Sequence, residues 1–324
     1  MEEGDCYTDS NITTRNYNIS LGDYCYGASG MAHEIGHALG LPHSQNRRDR
    51  DNYIIINVTN IQQYKEQYEG MMTEDQEASY SVPYDLGSIM QYAADALNPS
   101  MIPKDRHYNR TMGSPFISFL DKYLVNLHYN CTDYRIFQRR HLFLLRGKQR
   151  CKCKNECENN GFRDPKNCEK CVCPRGFGGD KCGSKPDTCG GKDVTASEMP
   201  EKMTKTIPHS GNNDEYTQCT TWITADARKV IQVKTDAISD GLESIGCDMA
   251  GVEIKATNNT ILTGYRFCSP YDAGITLASN STPLPIILYS KTNITLTVTL
   301  QYQTGEFTQS VALETLEKKN TFPV

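Results

Sequence analysis

Apolar residues recur at helical spacing in two stretches of the first 131 residues. Over residues 28–39 the positions Met31, Ala32, Ile35, Ala38 and Leu39 fit a helix, and Gly40 stands where a left-handed C-terminal cap is wanted. Over residues 118–129, Leu120, Leu124 and Leu127 form one stripe and predict a core-facing helix. Residues 61–76 are rich in Gln, Glu and Lys and read as a surface helix or loop. Residues 1–131 are therefore expected to form one mixed, mostly helical unit. Residues 132–150 are a polar, basic connector interrupted by the apolar run 142–145, and residues 151–182 hold too few apolar side chains to fold without crosslinks. From Cys189 onward the period changes to two. Ile294, Leu296, Val298 and Leu300 alternate with Thr, and residues 230–233, 252–254 and 286–288 are further strand candidates. Residues 189–302 are thus expected to be an all-β sandwich, followed by a polar tail over 303–324. No internal repeat is evident.

Composition adds a compartment. Fourteen of the 324 residues are cysteine, and seven of these lie between Cys151 and Cys182. Such density means disulfides in an oxidising compartment or zinc thiolates in a reducing one. Asn-x-Ser/Thr sequons at Asn11, Asn18, Asn57, Asn109, Asn130, Asn258, Asn280 and Asn293 favour a secreted glycoprotein. Residues 1–6 carry neither a basic nor an apolar signal region, and no run approaches the ~18 apolar residues of a membrane span. The net charge of −5 gives no basic footprint for nucleic acid. The one basic cluster, between Arg139 and Lys154, reads first as a solvated linker and second as a sulfated-glycan or membrane-surface patch.

The candidate chemistry lies in the first predicted helix. His33-Glu34-Ile35-Gly36-His37 puts two imidazoles four residues apart on one helical face, where both reach one metal ion. Glu34 then sits beside that ion, placed to take a proton from water. Gly40 lets the chain reverse so that His43 supplies a third nitrogen. His107, His128, His141 and His209 have no motif support and are assigned to surface or structure.

Residues 33–53, HEIGHALGLPHSQNRRDRDNY, resemble the astacin group of metzincin zinc peptidases, including Arg47, Asp49, Arg50, Asp51 and Tyr53 beyond the third histidine. Ser88-Ile89-Met90-Gln91-Tyr92, led in by Asp85 and Gly87, resembles the group's Met-turn. The resemblance implies an α+β metzincin-type domain and one zinc ion held by His33, His37 and His43. It further implies Glu34 as general base and acid, Met90 as the apolar floor, and Tyr92 as the stabiliser of the oxyanion. Lys104, Arg106 and Arg110 follow the Met-turn, where the family shapes its specificity pocket; solvated surface charge is the simpler reading of each.

Cys153, Cys157, Cys168, Cys171, Cys173 and Cys182 resemble an EGF-like module, with a thiolate zinc site as the alternative. Cys189, Cys219, Cys247 and Cys268 around Trp222 resemble a CUB domain, with Trp222 expected in its core. Ala250 falls where many CUB domains carry a calcium-binding Asp, so no calcium is expected there. The order peptidase, EGF-like, CUB is that of many astacins, nematode ones included. The implied protein is a multidomain, secreted metalloendopeptidase whose partners are protein or peptide substrates, extracellular matrix or cuticle proteins among them. The competing reading is a non-catalytic extracellular binding protein or inactive fragment that uses its CUB and EGF-like modules.

Departures from the family set further expectations. Cys6 and Cys25 match its internal disulfide just before the zinc helix, but no propeptide or upper-domain strands precede them, which predicts an N-terminally truncated chain. Cys131 then lacks its family partner and is left with Cys151 only by default. Ser44 stands where a Glu commonly contacts the mature amino terminus.

Overall fold

The computed structural model describes residues 6–9, 18–22, 25, 27–57, 59–60, 68, 70–74, 80–94, 99–131, 157–186, 189, 192–207, 215–291 and 295–305. The connector at 132–150, the tail beyond 305, His141, His209, Cys151, Cys153 and most of 61–76 lie outside them. No helix among the described residues is long and apolar enough to cross a membrane.

In the first unit, β1 (Cys6–Asp9) and β2 (Asn18–Leu21) pair antiparallel, and a Cys6–Cys25 disulfide ties this ribbon to the start of α1 (Ala28–Ala38). The apolar stripe read from the sequence of α1 does not face a core: Met31, Ile35 and Leu39 are 40%, 48% and 37% exposed. The helix instead buries Gly36 against Met90 and Leu41 and, on another side, Glu34 beside Thr8 of β1. A second ribbon joins β3 (Ile54–Ile56) to β4 (Met101–Pro103), over a core of Ile54, Tyr84, Leu86, Met101, Tyr108 and Met112. Helix α2 (Phe119–His128) begins at a capping box in which Ser118 Oγ accepts from Asp121 N and Asp121 Oδ2 accepts from Ser118 N.

The next unit is stapled, as its composition demands. β5 (Phe162–Arg163) and β6 (Cys171–Val172) form a two-stranded ribbon beside disulfides Cys157–Cys171 and Cys173–Cys182. Cys168 is also disulfide-bonded, which removes the thiolate-zinc alternative for these cysteines. Cys131 is a free thiol rather than the partner of another cysteine.

The third unit is a β-sandwich of β7 (Val194–Thr195), β8 (Glu201–Ile207), β9 (Thr217–Thr224), β10 (Val230–Ile238), β11 (Ala250–Ile254), β12 (Tyr265–Phe267), β13 (Thr276–Ser279), β14 (Leu284–Ser290) and β15 (Leu296–Gly305). One sheet has the order β13-β10-β15-β8 and the other β12-β11-β14-β9-β7, antiparallel except where β7 joins β9. Strand β15 alternates buried and half-buried residues along its length and runs past the expected boundary at 302 to Gly305. Disulfides Cys189–Cys219 and Cys247–Cys268 brace the unit.

The three units share buried contacts. Leu120, Tyr123 and Leu127 of α2 pack with Phe162 of the stapled unit and Ile261 of the sandwich in one cluster. Tyr265 donates to Asp105, Arg266 Nη1 donates to Ser114 Oγ, and Tyr108 donates to the Thr263 carbonyl across the same junction. Trp222 lies here rather than in the sandwich core: it is half-buried, and its Nε1 donates to the Gly176 carbonyl at 2.9 Å. Arg110 is not a free surface charge: its side chain is 24% exposed, and Asp272 and Glu243 of the sandwich hold it at 2.7 and 2.8 Å.

Candidate metal centre

Helix α1 carries His33 and His37 one turn apart, and Gly40 ends it with φ of +87°, a conformation that side chains resist. The chain then reverses, Leu41 N donating to Gly36 O, and brings His43 back over the helix. The three Nε2 atoms lie 3.0–3.1 Å from one another. His33 Nδ1 is 2.7 Å from the Ile89 carbonyl and His37 Nδ1 is 2.9 Å from the Leu41 carbonyl. Carbonyl oxygens only accept, so these Nδ1 atoms carry the protons and the matching Nε2 atoms present lone pairs.

Converging lone pairs repel unless a cation lies between them. The spacing is close to the roughly 3.3 Å separating imidazole nitrogens bound tetrahedrally at about 2.0–2.1 Å from zinc. The residues therefore fit a zinc ion. Among the described residues, His33, His37 and His43 are the group whose ligating atoms cluster this way. Burial pushes His43 down to about 3, with His37 and His33 adding to the shift. His37 is lowered chiefly by burial and then by His33, against the Leu41 carbonyl and Glu34. Both imidazoles are thus held in the neutral, ligating form.

The Met-turn closes the site from below. Met90 is 2% exposed, and a Cβ on Gly36 would stand 2.6 Å from its sulfur, so glycine at this point of the motif lets the turn approach the helix. Ser44 N donates to the Met90 carbonyl and Tyr92 N donates to Gln45 Oε1, pinning the turn to the segment that carries His43. The Tyr92 ring lies 4.4 Å from that of His43. Burial, then Tyr68 and Glu34, push the Tyr92 phenol up to about 12, which keeps it a hydrogen-bond donor near neutral pH. Glu34 is 6% exposed, and Thr8 Oγ1 lies 2.8 Å from its Oε2.

Beyond the histidines, Arg47 forms a two-point pair with Asp49 and donates to the Val82 carbonyl, and Arg50 donates to the Gln45 and Tyr68 carbonyls. These arginines shape the loop and stand apart from the imidazole cluster. His107 pairs with Asp105 and His128 with Tyr80, both away from the metal centre.

Three supporting contacts of the site were not read from the sequence, although Asp85 is part of the Met-turn lead-in. Asp121 accepts from Ser88 Oγ at 2.5 Å and Ile89 N at 2.9 Å, so the residue that caps α2 also clamps the Met-turn. The Ser118-x-x-Asp121 spacing signals the cap but not this second contact. Asp85 accepts from Gly87 N and from both N and Oγ1 of Thr263, a residue of the sandwich. Thr8 is the third, and nothing in the local sequence marks it.

The profile of the astacin peptidase family matches residues 2–130. Zinc metalloproteinase nas-31 of Caenorhabditis elegans is 36% identical over 295 residues, covering 88% of this chain and 45% of that protein. Zinc metalloproteinase nas-25 of the same organism is 32% identical over 301 residues, covering 88% of this chain and 70% of that one. This chain therefore spans less than half the length of nas-31. Among solved structures, the hatching-enzyme zinc-protease high choriolytic enzyme 1 of Oryzias latipes is similar at 27% identity and a TM-score of 0.34, covering 40% of this chain and 66% of that one.

Proposed function

Because this chain belongs to the astacin family of peptidases, we propose that it is a zinc-dependent metalloendopeptidase that hydrolyses peptide bonds of extracellular proteins. The observation that carries this reading is the convergence of the His33, His37 and His43 Nε2 atoms at 3.0–3.1 Å, with those of His33 and His37 left as lone pairs by the carbonyls at their Nδ1 atoms. Zinc held by these nitrogens supplies Lewis acidity, polarising a scissile carbonyl and lowering the pKa of water toward about 7.

The chain's own residues do the rest. Glu34 accepts the proton of the attacking water as its oxygen bonds to the carbonyl carbon, and returns that proton to the amine nitrogen as the C–N bond breaks. Its burial beside the imidazoles supports this role. Tyr92 donates its hydroxyl to the carbonyl oxygen as negative charge builds there. Its position against His43 and its raised pKa support that role. The stapled unit acts as an EGF-like spacer and the sandwich as a CUB domain, both serving to hold protein substrates. The disulfides and sequons support a secreted chain working in an oxidising compartment.

The test is cleavage of a denatured protein by the purified chain. The zinc-loaded protein is expected to cut it, and Glu34→Gln to abolish cutting while retaining zinc. Zinc retention with cleavage that does not depend on Glu34 would sink the catalytic assignment. Zinc retention with no cleavage by either protein would favour a binding role for the two accessory units.

A further inference from the structure

Where the three units meet, a cavity of about 210 Å³ is bordered by Phe116 and Lys122 of the first unit, Arg175 of the second, and Gln218, Lys255 and Arg266 of the third. Its lining holds four cationic side chains and no carboxylate. It shares no lining residue with the histidine cluster.

Glu253 is the acid bonded to the pair of arginines: its Oε2 accepts from Arg175 Nη1 at 2.8 Å and from Arg266 Nε at 3.1 Å, while Oε1 accepts from Gly264 N. Burial alone would raise the Glu253 carboxyl, yet Arg175, Arg266 and Lys255 hold it down to about 2. One carboxylate thus bonds two guanidinium groups at once. Arg175 also donates to Gln218 Oε1 and Arg266 to Ser114 Oγ, and both guanidinium groups lie over the rings of Phe116 and Tyr289. Lys255 donates to the Leu262 carbonyl, a neutral acceptor.

Two more buried acids lie nearby and attract Lys255 and Lys122, but their hydrogen bonds go to neutral donors. Asp85 accepts from Gly87 and Thr263, and Asp121 from Ser88, Ile89 and Ser118. Burial lowers the pKa of Lys255 and Arg175, against the pull of Glu253 on both and of Asp85 on Lys255. A buried cation with no anion bonded to it is costly, as for Lys255 on its neutral carbonyl, and an anion in the cavity offsets that cost. Guanidinium and ammonium groups converging from several directions suit a tetrahedral oxyanion. The volume admits one together with a few waters, each of which occupies about 30 Å³ in the liquid.

We propose that this cavity is a binding site for a sulfate or phosphate group, free or as the terminal ester of a larger ligand, held by Lys122, Arg175, Lys255 and Arg266 and linking the three units.

Calorimetric titration of the whole chain with sodium sulfate and with sodium phosphate, against sodium chloride at equal ionic strength, tests it. Saturable one-to-one binding of sulfate or phosphate is expected. Lys122 is solvent-exposed, so Lys122→Gln is expected to fold as the parent does and to bind at least about tenfold more weakly, the loss of one charge-assisted contact. Lys122→Arg is expected to retain binding. A parallel titration with a sulfated disaccharide separates the sources: tighter Lys122-dependent binding than free sulfate assigns an ester, and weaker binding assigns the free ion. Absence of saturable binding by either anion, or equal affinity in the parent and Lys122→Gln, would overturn the proposal.

Discussion

The hydroxyl of Thr8 lies 2.8 Å from Oε2 of Glu34 and equally 2.8 Å from the Glu34 carbonyl oxygen. Strand β1, anchored by the Cys6–Cys25 disulfide, thereby reaches the acid at the centre of the His-Glu-x-x-His motif. A hydroxyl donating to a carboxylate fixes its rotamer, and such a bond contributes about 1.5–3 kcal/mol.

Thr8→Val removes that donor at nearly constant volume. It is expected to lower kcat about tenfold or more with KM and zinc content unchanged, whereas Thr8→Ser keeps the donor and the rate. Steady-state kinetics with a quenched-fluorescent peptide checks this; equal kcat for Val and Ser would remove Thr8 from the positioning of Glu34.

Gly36 and Met90 form a tight contact beneath the histidines. Gly36→Ala puts a methyl 2.6 Å from the methionine sulfur and is expected to destabilise by about 1–3 kcal/mol and weaken zinc binding. Adding Met90→Ala is expected to recover part of the zinc affinity, with a coupling of about 0.5–3 kcal/mol in a double-mutant cycle. Strict additivity would mean that the two residues do not press on each other.

The sandwich reaches the Met-turn through Thr263, whose N and Oγ1 both donate to buried Asp85. Thr263→Val leaves one Asp85 oxygen short of a donor, at a cost of about 1–3 kcal/mol. A lower melting temperature with a reduced peptidase rate is expected. A lower melting temperature with an unchanged rate would confine Thr263 to holding the units together.

Much of this was legible in the sequence. The three histidines and Glu34 announce themselves because metal ligation demands a fixed spacing, two imidazoles one turn apart on a helix and a third after the glycine turn, and the two-residue period of β15 survives in its buried and half-buried alternation. The exposure of Met31, Ile35 and Leu39 was not legible, because periodicity locates an apolar stripe without saying what covers it. Arg110 and Trp222 were misplaced for a related reason. Each sits at a junction between units, where its partner lies far away in sequence. Asp121 shows the same limit within one domain, since a capping box also suits an ordinary helix start.

Glu253 sets a pH dependence. Its carboxyl is held at about 2 in the folded chain, below its ordinary value of 4.5. The stability this contributes is present above pH 4.5 and is lost as the pH falls through the interval to about 2. Melting temperature is expected to decline through that window. Glu253→Gln leaves Arg175 and Arg266 without their shared anion and is expected to cost about 3–5 kcal/mol at neutral pH while flattening the acid decline. An unaltered acid profile in the variant would place the sensitivity elsewhere.

Zinc content against the three histidines tests the central claim most directly. Elemental analysis of the purified chain is expected to find one zinc per molecule, and none after His33→Ala, His37→Ala and His43→Ala are combined. The combined variant should also lose all hydrolysis of a denatured protein. Zinc that survives the triple replacement, or hydrolysis that continues without it, would contradict a metal centre built on these imidazoles.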